Sequence, residues 1–303
     1  MSWQTNLQRL GLFGLACGAY GTFIENQAFK LRRFTVPVLP KGAPALRLLH
    51  ISDLHLLCRN KARRRFLSGL AGLEPDIVVN TGDNVAEPSA IEALRESLGR
   101  LLDAPGVFVH GSADYEAPVF RNPLGYIFSP TTRELDLVRQ RPVPTAELEA
   151  MLTSGGWRDV NEHRAVIDVL GLRLEFRGTN DAHLGLDDYA AVAGPASDGV
   201  DASIGVTHAP YRRILDAMAR DKVKLILAGH THGGQVCVPG FGALTTNCDL
   251  DPKRAKGLWR YSSGGHKSWL HVSAGLGTSP FAPFRFACPP EASLLTLVGK
   301  GQR

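Results

Sequence analysis

The sequence predicts an α/β fold whose chemistry lies at the C-terminal ends of its strands, and three observations predict it. Short aliphatic runs alternate with segments of helical periodicity through the first half of the chain, a pattern that favours βαβ units. Several runs stop abruptly at Asp or His, as at Asp53, Asp83, Asp114, His208 and the pair His230 and His232, with Gly directly beside Asp83, His230 and His232. The chain has 303 residues, 44% of them hydrophobic, enough to build the core of one large domain or two small ones.

Charge and cysteine content narrow the partners. A formal net charge of +5 favours anionic substrates or a phospholipid surface but falls far short of a polybasic tail, so no nucleic-acid partner is expected. The five cysteines, at 17, 58, 237, 248 and 288, show no Cys-x-x-Cys spacing. Neither a zinc knuckle nor a disulfide framework is implied, and an odd, unpatterned set points to a reducing compartment.

Residues 10–24 carry no charge and hold Phe13, Tyr20 and Phe23 among glycines. As a helix they would rise ~22 Å, short of the ~30 Å hydrocarbon core, so a peripheral or monotopic anchor at the cell membrane fits better than a span. A secretory signal does not fit, because Glu25-Asn26-Gln27 stands where small residues are needed and Arg32-Arg33 follows the apolar stretch. The competing reading is a helix packed on its own domain. Lys30, Arg32 and Arg33 on the far side put the catalytic domain on the cytoplasmic face if the helix inserts. Three prolines and a glycine in 37–44 read as a stiff linker. The expected organisation is therefore a membrane-associating segment at 1–36, a linker at 37–45 and one catalytic domain at 46–303.

The domain opens with a strand at 46–51 that delivers Asp53 and His55. In extended backbone, residues i and i+2 share a face, so this pair can converge on one cation as oxygen and nitrogen ligands. A helix at about 62–72 leads to a strand at 77–80 and to Gly82-Asp83-Asn84. The segment from about 89 to 102 places Ile91, Leu94, Leu98, Leu101 and Leu102 at three- and four-residue spacing, which makes it a covering helix. Val107-Phe108-Val109 then runs into His110-Gly111-Ser112-Ala113-Asp114.

From 116 to 144 the alternation gives way to a proline-rich insertion, functional or simply packed on the domain, whose Phe120, Arg121, Tyr126, Ile127 and Phe128 suit a lipid surface or an amphiphilic substrate. Strands at 164–167 and 172–176 form a hairpin about Leu170-Gly171. A strand at 204–206 delivers His208, and Pro210 opens a helix that runs to about Arg220. The run 223–228 ends at Gly229-His230-Thr231-His232-Gly233-Gly234. Neutral imidazole is the commonest nitrogen ligand of divalent transition metals, so two histidines so spaced can serve one or two adjacent ions; a polar turn facing water is the bland alternative. Strands at 270–272 and 294–297 are expected to complete a second sheet.

Singly these motifs are modest, but Asp53-x-His55, Gly82-Asp83-Asn84, Gly111 to Asp114, His208 and His230-x-His232 fall in order, each after an apolar strand. Over about residues 46–298 the sequence resembles the calcineurin-like metallophosphoesterase superfamily, with its Asp-x-His, Gly-Asp-x, Gly-Asn-His-Asp, His and Gly-His-x-His pattern. Ser52-Asp53-Leu54-His55-Leu56, the Gly229 to Gln235 run and Pro289-Pro290-Glu291 are similar to its membrane-linked bacterial branch. The resemblance implies a sandwich of two mixed β-sheets flanked by helices, with a dimetal site at the strand C-terminal ends. It implies Asp53, His55 and His232 on one divalent ion, His208 and His230 on the other, Asp83 bridging, and Asp114 orienting its neighbours. Mn, Fe or Zn suits such mixed nitrogen and oxygen ligands. Two such ions lower the pKa of a shared water and neutralise the phosphate it attacks.

One position departs from the pattern. Gly111-Ser112-Ala113-Asp114 lacks both the amide ligand of the second ion and the histidine that helps the leaving group, and against relatives that look like Gly-Ser-Asn-Asp the difference is a single Asn to Ala at position 113. Three explanations stand: an introduced inactivating change, a natural loss of activity, or a substitute such as His110, Asn84 or His183. The expected function is hydrolysis of a phosphoester or pyrophosphate, with a phosphorylated, lipid-linked substrate and a membrane surface as partners. The alternative is a catalytically impaired module of the same fold that binds a phospholipid or a protein.

Overall fold

The computed structural model describes residues 3–119 and 141–301. Its first sheet has six strands, in spatial order β1 (Lys30–Leu39), β14 (Glu291–Gly299), β2 (Leu46–Ile51), β3 (Ile77–Asn80), β4 (Gly106–Phe108) and β5 (Trp157–Asp159). The second also has six: β12 (Gly257–Ser263), β13 (His266–Val272), β9 (Leu225–Ala228), β8 (Ala202–Thr207), β7 (Leu172–Thr179) and β6 (Arg164–Val169). Both sheets are mixed. β2 to β5 run parallel while β14 lies antiparallel to β2, and β7, β8, β9 and β13 run parallel while β6 and β12 are antiparallel edges. A short pair, β10 (Cys237–Val238) and β11 (Gly242–Ala243), stands apart.

Strand period explains the layering. Successive side chains point to opposite faces, so β2 sends Leu48 towards the second sheet and Leu49 towards the helices, and β3 does the same with Val79 and Val78. Leu48, Val79, Val107, Phe176, Ile204, Val206 and Leu227 fill the space between the sheets. Helices α2 (Lys61–Gly69), α3 (Ile91–Leu98) and α5 (Thr145–Ser154) cover the outer face of the first sheet through Leu67, Leu94, Leu98, Leu148 and Leu152. The short α4 (Ser112–Tyr115) precedes α5, and α6 (Arg212–Arg220) covers the second sheet with Ile214, Leu215 and Met218.

Two expectations change. Residues 30–39, read as the end of an anchor and the start of a linker, form β1, paired in parallel with β14 from Lys30 opposite Glu291 to Leu39 opposite Gly299. The boundary expected at residue 36 therefore falls inside a strand, and Val36, Val38 and Leu39 are buried in the domain core. Pro37 is tolerated because β1 is an edge, where a missing N–H breaks no ladder on the open side. The strand expected at 294–297 does not complete the second sheet but inserts in the first, between β1 and β2. Most of the insertion expected at 116–144, including Phe120, Arg121, Tyr126, Ile127 and Phe128, lies outside the described residues. Ahead of β1, α1 (Trp3–Ala19) continues through a π-helical turn, Tyr20–Ile24, and leaves Trp3, Leu10, Leu12, Leu15 and Phe23 exposed.

Candidate metal centre

The parallel strands of both sheets bring their C-terminal ends to one edge. β2 carries Asp53 and His55, β3 carries Asp83, β8 carries His208, and β9 carries His230 and His232. All six sequence-predicted ligand residues gather there. Ligand atoms of Asp53, His55, Asp83 and His232 lie within 4.8 Å of one another, the first three residues buried and His232 half-buried, in a cluster with the composition of a metal site. His55 Nε2 is 3.2 Å from Asp83 Oδ2 and 3.3 Å from His232 Nε2. His232 Nε2 is 3.8 Å from Asp53 Oδ1. On the other side of Asp83, His208 Nε2 approaches Oδ2 to 3.5 Å, and the His208 and His230 rings meet edge to face at 5.3 Å.

Tautomers follow from the outer partners. His208 Nδ1 donates to the Thr81 carbonyl at 2.7 Å, and His232 Nδ1 donates to the Gly277 carbonyl at 3.1 Å. Each therefore turns Nε2 inward, as outer hydrogen bonds to ligand histidines do. His208 Nε2 is buried beside the Asp83 carboxylate with no hydrogen-bond partner, a place that suits a positive charge, a proton without metal or a cation when one is bound. His230 Nε2 donates to the Asn247 carbonyl at 3.1 Å, which leaves Nδ1 bare.

The backbone is bent to make this convergence. Asp53, His55, Asp83, His230 and His232 all adopt left-handed φ, from 38° at His55 to 68° at His230, each sparsely populated for such residues. Strain of ~1–3 kcal/mol per residue persists only where surrounding structure enforces it, and it clusters at functional sites. Gly229 permits the approach of β9 to β2, because a Cβ there would collide with Ser52 Oγ and stand 2.5 Å from Asp53 Oδ2.

Charge in the cluster is uneven. Burial works against ionisation of Asp83, yet His208 and His55 beside it outweigh that and hold its carboxyl well below the usual range. Burial likewise opposes the charged form of His208, but Asp83, Asp181 and Asp53 raise it to about 9. His230 and His232 are pushed down, chiefly by burial and then by His208 and His55 respectively. Without a cation, then, His208 carries the site's counter-charge.

Asp114 sits behind the cluster. Its carboxylate accepts from the backbone N–H groups of Asp83 at 2.8 Å, Asn84 at 2.7 Å and Gly111 at 3.0 Å, locking the Asp83 turn to α4. Ala113 presents only its backbone N–H, which donates to Asp83 Oδ1 at 2.7 Å. Two of the suggested substitutes are committed elsewhere: His110 Nε2 to Glu149 at 3.0 Å, and the Asn84 amide between Asn80 and Asp114. His183 alone lies against a predicted ligand, its ring 4.6 Å from that of His230, with Nδ1 on the Tyr211 hydroxyl at 3.1 Å. Burial and the nearby His230 lower it to about 4.

Sequence reading missed two buried arginines. Arg63 donates to the Leu54 and His55 carbonyls, both at 2.8 Å, and Arg285 donates to the carbonyls of Ala274, Gly277 and His232 at 2.7, 2.7 and 3.3 Å. Between them they fix both ends of the first cluster. An arginine that binds only carbonyls leaves no spacing pattern, so no sequence signal marks it.

Comparison with known proteins places the chain by sequence. A family model described as calcineurin-like phosphoesterase matches residues 46–234. An uncharacterized metallophosphoesterase of Bacillus subtilis (strain 168) is 26% identical over 95% of this chain and 95% of its own length. A Danio rerio protein named transmembrane protein with metallophosphoesterase domain is 27% identical over 92% of this chain and 59% of its own. Among solved structures, a 5'-nucleotidase precursor from Thermus thermophilus aligns with 84% of this chain and 55% of its own, at 14% identity and a TM-score of 0.47. With the motifs in order, their side chains converging at one strand edge and the family model matching more than half its length, the chain belongs to the calcineurin-like phosphoesterase family.

Proposed function

We propose that the protein is a dinuclear-metal phosphoesterase acting on a phosphoester or pyrophosphate of a membrane or lipid-linked substrate. The observation that carries the reading is the set Asp53, His55, Asp83 and His232, three buried and the last half-buried, whose ligand atoms lie within 4.8 Å of one another. Asp53, His55 and His232 would hold the first ion, His208 and His230 the second, and Asp83 lies between the two sets. Two divalent cations bound there would supply Lewis acidity, neutralising phosphate charge and acidifying a water. The protein's own part is to keep these ligands dehydrated and aimed: Thr81 and Gly277 fix two imidazoles, Asp114 fixes the Asp83 turn, and Arg63 and Arg285 fix the loops.

The membrane component rests on exposed apolar surface. No helix among the described residues is long and apolar enough to cross a membrane. The exposed side chains of α1 and of the β10–β11 hairpin, notably Leu12, Leu15, Phe241 and Leu244, support an interfacial attachment. Lys30, Arg32 and Arg33 beyond α1 favour an anionic, cytoplasmic leaflet.

The test is to load the purified full chain with Mn2+ and follow bis(p-nitrophenyl) phosphate and a diacyl lipid pyrophosphate in vesicles. Two metal equivalents and turnover of the vesicle substrate are expected. Asp83→Ala should remove metal from both positions and reduce turnover by more than the roughly ten- to hundredfold typical of outer-shell partners. A loaded protein that hydrolyses no phosphoester would sink the reading.

A further inference from the structure

Five polar groups run in a buried line from the space between the sheets to the candidate metal centre. His271 on β13 meets His50 on β2 through Nδ1 and Nδ1 at 2.9 Å. His50 Nε2 meets Thr81 Oγ1 at 3.0 Å, Thr81 Oγ1 meets Ser52 Oγ at 2.6 Å, and Ser52 Oγ meets Asp53 Oδ2 at 2.5 Å. All five residues are fully buried. A pair of apolar side chains would fill this space without the cost of desolvating two imidazoles, so the pair needs a reason to be there.

Proton counting fixes the direction of every bond. A ligand carboxylate only accepts, so Ser52 donates to Asp53. That spends the serine's one proton, so Thr81 must donate to Ser52. Thr81 in turn has nothing left to give His50, which must donate from Nε2. A neutral His50 then has a bare Nδ1, and His271 must donate to it from its own Nδ1. The count leaves His271 Nε2 as the one atom without a bond, and among the side-chain atoms of these five residues that nitrogen is the one the structure leaves buried and unpartnered. Burial keeps both rings neutral, His50 well below its ordinary value and His271 at about 3. An unmet acceptor costs ~1–3 kcal/mol, and the His271 ring packs at a steep angle against Phe34 on β1, with ring centroids 5.1 Å apart.

We infer that His271, His50, Thr81 and Ser52 form a one-directional donor chain that orients Asp53 for the first metal ion, and that His50 and His271 are positioning residues of the phosphoesterase site. The inference rests on Asp53 being a metal ligand. With Oδ2 tied to Ser52, and the His230 N–H 3.0 Å from Oδ1, the carboxylate cannot rotate away from the cluster. Each donor polarises the next, so the pull of a cation on Asp53 is felt at a histidine of the opposite sheet.

Nitrogen-15 NMR of the histidine rings in the full chain tests the direction of the chain. His50 should be the Nε2–H tautomer and His271 the rarer Nδ1–H tautomer; the reverse at either ring overturns the inference. Metal binding tests its purpose, using Mn2+ with a competing chelator. His50→Leu should weaken the first ion by roughly ten- to a hundredfold and lower kcat with little change in KM, while His50→Gln, whose amide can still donate to Thr81, should recover most of the loss. A His50→Leu protein that takes up metal as tightly as the parent would overturn the inference alone. A parent that takes up no divalent ion would overturn the metal reading beneath it.

Discussion

Alanine at position 113 lends Asp83 a backbone N–H and offers the second ion nothing. The side chains proposed to hold that ion are the His208 and His230 rings, with the His183 ring tilted against that of His230. Ala113→Asn should therefore raise second-ion affinity and phosphodiester turnover together, by roughly ten- to a hundredfold, as read by elemental analysis and initial rates. An unchanged metal content would mean that the site is complete without it, and His183→Ala would then be the variant to measure. The residues that gather at the strand edge were legible in the sequence because each stands where an apolar run stops, and that punctuation survives any detail of packing. What holds them was not legible. Asp114 could be placed by its motif, but the relay through His50 joins residues 31 and 221 positions apart, and the grips of Arg63 and Arg285 fall on backbone carbonyls, which any residue offers and no sequence pattern marks.

Among elements, β1 shows best why charge and proline mislead. Lys30, Arg32, Arg33 and Pro37 read as a flank and a linker, yet an edge strand is where such residues are useful, since they blunt pairing with other chains. Arg32 reaches Glu291 at 3.0 Å, and just ahead of the strand Glu25 accepts from the N–H groups of Ala287 at 3.0 Å and Cys288 at 2.6 Å. Two deletions test the proposed attachment separately from folding. Removing residues 1–19 takes away α1 alone and should release the protein from phosphatidylglycerol vesicles with its melting temperature nearly unchanged. Removing 1–39 also strips the buried Val36, Val38 and Leu39, at ~1.5–3 kcal/mol each, a loss comparable with the ~5–15 kcal/mol that holds a domain together. That variant should be unfolded by circular dichroism. If the shorter deletion still sedimented with vesicles, the β10–β11 hairpin would be the attachment instead.

For the whole molecule, metal and proton compete for one place. Without metal, His208 is raised above its unfolded value, so its contribution to stability is complete below about pH 6.5 and is lost as pH rises through about 9. The metal-free protein should therefore melt at progressively lower temperature across that window. Saturation with an ion at a hundred times its dissociation constant adds ~2.7 kcal/mol. Because the ion replaces the proton on His208, loading should also flatten the alkaline decline; calorimetry of chelated and loaded samples from pH 6 to 9.5 reads both effects, and parallel declines would separate His208 from the site. The sheet order carries a consequence of another kind, for synthesis. β14 lies between β1 and β2, so the first sheet stays split until residues 291–299 leave the ribosome, on the order of ten to fifty seconds after β2 at usual elongation rates. Throughout that interval β1 has no neighbour, and an anchor already lodged in the bilayer would keep the nascent chain at the membrane while its catalytic edge waits for the last strand.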